Sequence, residues 1–122
     1  GGFGITYACH DTLLQRKVAV KEFFPFGCRR DASQVMPSRA ISPQDFTSAR
    51  EKFLDEARVL AGCSHRGIVA VHTAFSENNT AYMVMELLHG QTLAAVLAQR
   101  GGRLPEDEAV TLAEAICDAL GY

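Results

Sequence analysis

Three features of this 122-residue chain have the residue types and spacing to hold an anionic ligand. The first is a lysine inside an apolar strand, Lys21 in "RKVAVKEFFP" (Arg16 to Pro25). Strand side chains alternate faces, so Ala19 and Lys21 share one face while Val18 and Val20 point to the other. A small residue beside an ammonium leaves room for a flat ligand whose anionic part the lysine can meet. A lysine can equally guard an exposed strand edge. The second feature is Glu56. With Ala49 as zero and about 100° per residue, Leu60, Phe53 and Ala57 fall near 20°, 40° and 80°, and Glu56 near −20°. Glu51 and Asp55 fall near 200° and 240°, on the wet face. A carboxylate inside an apolar stripe is costly unless paired, so the expectation is an ion pair between Lys21 and Glu56. The alternative is that Glu56 reaches water at the helix edge. The third feature is "GGFG": Gly1, Gly2 and Gly4 precede a strand, and their amides can approach a phosphate unobstructed.

The elements that must position these residues follow from pattern. "ITYAC" (Ile5 to Cys9) and "KVAVKEFF" read as two strands of a hairpin joined by "HDTLLQR". Residues 25–43 carry three prolines and Gly27 among mixed polar residues, which predicts an irregular insertion. Its arginines, Arg29 and Arg30, read as solvated, with docking of a regulatory segment as the other use. A helix is expected from about Ser42–Gln44 to Ala61, stopped by Gly62. "GIVAVHTAFS" and "AYMVMELL" read as strands around "ENNT", a turn in which asparagine tolerates positive φ. Thr92 caps a short helix ending at Gly101. Pro105 opens a last helix with acids in its first turn and an apolar set of Ala109, Leu112, Ala113, Ile116, Ala119 and Leu120. The fold class is α+β: a small antiparallel sheet with one helix on it, then the start of a helical region.

Composition excludes several classes. With 48% hydrophobic and 21% charged residues the chain has globular composition, and its net charge of −2 gives no field that would hold nucleic acid. No apolar run is long enough to cross a bilayer. Cys9, Cys28, Cys63 and Cys117 lie apart, without metal-ligand spacing, and read as reduced thiols of a cytoplasmic protein; Cys63 and His65 alone make no metal site. His10, His72 and His89 read as residues without a role. The chain opens on Gly1 rather than methionine and stops at Tyr122 after a helical stretch, which reads as a piece truncated at both ends.

The ordered set of glycine loop, strand lysine and helix glutamate resembles the amino-terminal lobe of the eukaryotic-type protein kinases. "GGFGITY" looks like the end of the glycine-rich loop, "VAVK" like the lysine strand, and "FLDEARVLAGCSHRGIV" is similar to helix C and the H-P-N-I-V turn after it. "AYMVMELLHGQTL" looks like the strand, gatekeeper and hinge. The wording is closest to bacterial (Hanks-type) serine/threonine kinases, which also carry a proline-containing insertion after the lysine strand. The resemblance implies residues 1–88 as lobe and hinge, lacking the first strand and with the insertion at about 25–43, and residues 89–122 as helices D and E of the second lobe.

It further implies that Gly1, Gly2, Phe3 and Gly4 cover the phosphates of ATP. Thr6 and Ala19 would roof the adenine. Lys21 would hold the α- and β-phosphates, oriented by Glu56. Met85 would be the gatekeeper, since of Met83 and Met85 only one is expected to line the pocket. The carbonyl of Glu86 and the amide of Leu88 would meet the adenine edge, and Thr92 would lie near the ribose. The catalytic loop and the Mg²⁺ ligands would lie beyond Tyr122, so the 122 residues alone are expected to be inactive. The implied partners are ATP and a protein bearing serine or threonine. "HRGIV" departs from the family's turn, and Thr6 stands where a valine is usual. Other readings are a pseudokinase serving as a nucleotide-dependent binding module, and a small-molecule kinase on a related fold.

Overall fold

The computed structural model describes residues 4–122. Gly1, Gly2 and Phe3 lie outside the described residues. Two compact units form, one of residues 4–64 and 69–87, the other of residues 65–68 and 88–122.

In the first unit, strands β1 (Gly4–Asp11) and β2 (Arg16–Phe23) make an antiparallel hairpin. Asp11 closes its turn by accepting from the Leu13 and Leu14 amides at 3.0 and 3.1 Å, which lets Gln15 take φ 55°. The insertion, expected from its prolines to be irregular, is not so throughout. It holds a second small hairpin, β3 (Arg29–Asp31) and β4 (Gln34–Met36). Val35 is the reason it orders: that side chain is fully buried in the core, so the segment has an apolar anchor that proline counting overlooks.

Helix α1 (Pro43–Ala61) starts and stops where the caps predict. Ser42 accepts from the Asp45 amide at 3.1 Å, Pro43 takes the first turn, and Gly62 ends it. Strands β5 (Val71–Glu77) and β6 (Thr80–Glu86) follow, joined through Asn78 and Asn79, both at positive φ (55° and 58°). The main sheet runs β1-β2-β6-β5, all neighbours antiparallel. Its core gathers Phe23, Val35, Phe46, Phe53, Leu54, Ala57, Ala81 and Met83. Phe23 packs its ring 5.5 Å from Phe46 and 5.8 Å from Phe53.

The second unit holds α2 (Leu93–Gln99) and α3 (Glu106–Leu120). Thr92 caps α2 by accepting from the Ala95 amide at 3.1 Å. Glu106, Asp107 and Glu108 face the positive end of the α3 dipole. The turn at His65 is fastened within this unit. The Gly67 amide donates to His65 Nδ1 at 2.9 Å, leaving Nε2 to donate to Asp118 at 3.0 Å. Of the described residues, no helix is long and apolar enough to cross a membrane, and no group of three or more His, Cys, Asp or Glu is suited to a metal ion.

Candidate active site

Register decides which residues of the sheet meet. Gly4 pairs with Phe23, Thr6 with Lys21, Ala8 with Ala19, Ala19 with Met85 and Lys21 with Met83. Paired residues and residues two apart share a face. Gly4, Thr6, Ala19, Lys21 and Met85 therefore lie on one face of the sheet, as do Met83 and Phe23. Met83 belongs to the buried core while Met85 packs beside it half-buried. At Gly4 the backbone approaches β2 closely: a Cβ there would sit 2.6 Å from the Glu22 carbonyl oxygen and 3.3 Å from Lys21 Cε. Only glycine fits above the lysine stem.

Lys21 is half-buried and lines a cavity of about 600 Å³ with Phe23, Phe46, Phe53, Lys52 and Glu56. The expected ion pair is not closed. Among the described residues, neither Lys21 nor Glu56 has an ion-pair partner within 4.0 Å; the two groups face the same cavity, and Glu56 is exposed. Leu54 explains the difference. It falls near 140° on the helical wheel and is buried with Phe46, Phe53 and Ala57. The buried arc is thus centred away from Glu56, which keeps its water at the helix edge.

The closed charge pair lies one residue further on. Glu22 is 2% exposed on the opposite face of β2. Arg30 grips it with a bidentate fork, Nη2 to Oε1 at 2.6 Å and Nη1 to Oε2 at 3.0 Å. The Tyr7 hydroxyl donates to Oε1 at 3.0 Å. Hydrogen bonding from Arg30 holds the Glu22 carboxyl below the usual carboxylate range, although burial opposes it. The same contact raises the Arg30 guanidinium further. Burial, then the bond to Glu22, pushes the Tyr7 phenol up. Arg30 also lies 4.9 Å over the Phe24 ring. The expectation that Arg30 is simply a solvated charge is therefore corrected: it stays partly exposed but is committed to Glu22, and Arg29 is exposed. Sequence reasoning missed Glu22, although the signal was present: it shares a strand face with Val18 and Val20, the same conflict that singled out Glu56.

Among the remaining expected site residues, the Glu86 amide donates to the Ala70 carbonyl at 2.9 Å and its side chain accepts from the Ala70 amide at 2.9 Å. Leu88 and Thr92 belong to the second unit. Gly1, Gly2 and Phe3 lie outside the described residues.

The family described as "Protein kinase domain" matches residues 1–122. The chain belongs to the protein kinase family. This kinase chain is similar to the serine/threonine-protein kinase PknA of Mycobacterium tuberculosis, at 36% identity over 119 residues, covering 93% of the chain and 24% of that protein. It is similar to PknD of Chlamydia pneumoniae at 33% identity over 97 residues, covering 80% of the chain and 9% of PknD. The chain thus spans about a quarter or less of the length of these curated relatives. Of solved structures, the apo form of PpkA-294 superposes with a TM-score of 0.72 at 36% identity, over 81% of this chain and 36% of that one. Rad53 1-466 in complex with AMP-PNP superposes with a TM-score of 0.69 at 22% identity, over 100% of this chain and 27% of that one, a likeness of fold. The small antiparallel sheet with α1 is the amino-terminal-lobe arrangement of these kinases.

Proposed function

We propose that the chain supplies the nucleotide-holding part of a protein kinase that transfers the γ-phosphoryl group of ATP to serine or threonine of protein substrates. The observation that carries this reading is one sheet face bearing Gly4, Thr6, Ala19, Lys21 and Met85, with the Lys21 ammonium beside a cavity and without an ion-pair partner among the described residues. These residues fit a nucleotide. Gly4 lets the chain lie close over the lysine, Ala19 is a small flat surface, and Lys21 has positive charge to set against phosphate oxygens. Gly1, Gly2 and Phe3 enter by resemblance, as do Glu86, Leu88 and Thr92. Bound ATP supplies the phosphoryl group. Lys21 offsets phosphate charge, and α1 brings Glu56 within reach of Lys21 to orient it. The described residues do not form a Mg²⁺ site, so no step through the metal is assigned to them. The 122 residues alone are expected to transfer no phosphate.

The test is phosphate incorporation into a protein substrate by the complete protein with Mg²⁺ and labelled ATP, beside Lys21→Met. Transfer that is lost in the variant supports the reading, and transfer undiminished in it refutes the role of Lys21. The open Lys21–Glu56 arrangement also favours a second reading, a pseudokinase that binds nucleotide as a module. ATP binding by the complete protein with no transfer to any substrate or to itself would select it.

A further inference from the structure

Glu22 is a buried carboxylate that the proposed chemistry does not use, and its only charged partner among the described residues comes from the insertion. The insertion is anchored at three points. Arg30 ties β3 to β2 through the Glu22 fork. Val35 ties β4 to the β5–β6 turn: its amide donates to the Asn78 carbonyl at 2.9 Å, and its carbonyl accepts from Asn79 Nδ2 at 2.9 Å. The end of the insertion runs directly into the Ser42 cap of α1, with Ile41 packed against the core. From inside α1, Arg50 Nη1 donates to the Asn79 carbonyl at 3.3 Å and to its Oδ1 at 3.1 Å.

This matters because α1 lies closest along β5 and β6 and meets β2 through Phe23, whose ring packs on Phe46 and Phe53. Between β2 and α1 lies the cavity that Lys21 and Glu56 both face, and the insertion walls it with Pro25, Ala40 and Ile41. Phe23, Phe46 and Phe53 line that same cavity. The distance between the lysine strand and the glutamate helix is therefore set by this aromatic contact together with what joins them around the cavity. Glu22 anchors β2 one residue from Lys21 on the reverse face, so gripping its carboxylate also fixes the rotation of the strand that aims Lys21.

We propose that the β3–β4 insertion is a brace that positions Lys21 and α1 relative to each other, with Arg30 and Asn79 as its positioning residues. The proposal rests on the kinase reading for its effect on activity, but the mechanical part stands apart from it. A brace of this kind acts on the geometry of phosphoryl transfer more than on nucleotide capture, so its loss lowers kcat more than it raises KM for ATP.

The experiment uses the complete protein with Arg30→Ala, Arg30→Lys and Asn79→Gly. Glycine keeps the positive φ of position 79 while removing the side-chain bonds. Amide hydrogen exchange is followed along α1 and the sheet, and kcat and KM for ATP are measured in parallel. A brace gives, for Arg30→Ala and Asn79→Gly, a rise in exchange in residues 43–50 of α1 at least ten-fold greater than the rise in β1 and β6. It also gives kcat lowered at least five-fold with KM within two-fold, and Arg30→Lys in between because one contact of the fork survives. Exchange in α1 within two-fold of the parent overturns the proposal. So does a uniform rise over all elements, which marks plain destabilisation, and so does a loosened α1 with kcat unchanged. If Arg30→Ala does not fold, Asn79→Gly, which leaves the Glu22 fork in place, decides the matter. If the parent transfers no phosphate, the kinase reading fails and the exchange data alone judge the brace.

Discussion

Lys21 and Glu22 are chain neighbours on opposite faces of one strand, and they are treated oppositely. Lys21 is half-buried, faces a cavity and has no ion-pair partner among the described residues. Glu22 is almost completely enclosed, with Arg30 and Tyr7 bound to its carboxylate. A buried charge whose hydrogen-bonding capacity is filled by its own chain is committed to holding the fold. A charge left without a partner at a cavity is available to something that arrives. The contrast separates a structural ion pair from a ligand-directed one by the state of the partner rather than by depth.

The two positions can be pulled apart experimentally. The largest effect is expected at Lys21. In the complete protein, Lys21→Met should lower phosphate transfer by about 10²–10³-fold, the scale for losing one preorganised charge contact, while the midpoint of denaturant unfolding stays put. The next belongs to the enclosed pair, and it is asymmetric. Arg30→Ala leaves the Glu22 carboxylate buried without its counterion, with only the Tyr7 hydroxyl still donating to it, so it should destabilise by about 3 kcal/mol, the low end for such a pair because Arg30 is 37% exposed. Glu22→Gln leaves Arg30 free to turn to water and should destabilise less in the same unfolding experiment. Val35→Ala removes the apolar anchor of the insertion and should destabilise by about 2 kcal/mol.

Acid titration sharpens the contrast further. The Glu22 carboxyl titrates below its unfolded value, so the stability it contributes is fully present above pH about 4.5 and is lost as pH falls through its depressed value. Thermal melts should show this acid decline in the parent and a shallower one in Glu22→Gln. The smallest effect on stability is expected at Glu56, which is exposed and has no ion-pair partner among the described residues. Glu56→Gln should stay within about 0.5 kcal/mol of the parent, and in the complete protein it should still reduce transfer.

Much of the architecture was legible because local chemistry and tertiary structure agree. Ser42, Pro43 and Gly62 bound α1, Thr92 starts α2, and the two asparagines turn β5 into β6. The lysine face was legible as well, since alternation along β2 fixes which residues accompany Lys21. Glu56 lies further from the core than the spacing of Ala49, Phe53, Ala57 and Leu60 suggests, because Leu54 shifts the buried arc away from it. The insertion was opaque for another reason. Its order comes from partners distant in sequence, namely Glu22 for Arg30 and Asn78 and Asn79 for Val35. Neither prolines nor glycines carry information about such partners. Applying to Glu22 the question asked of Glu56 would have pointed to a missing cation, though not to which arginine supplies it.

The Arg30–Glu22 fork also constrains how this lobe can be inherited. Excising the excursion between β2 and α1 would strip an enclosed carboxylate of its counterion, so the deletion is tolerable only when position 22 becomes uncharged in the same lineage or gains a new cation nearby. Descendants that have lost the hairpin but kept the acid, with no substitute base in the sheet, should be absent from nature.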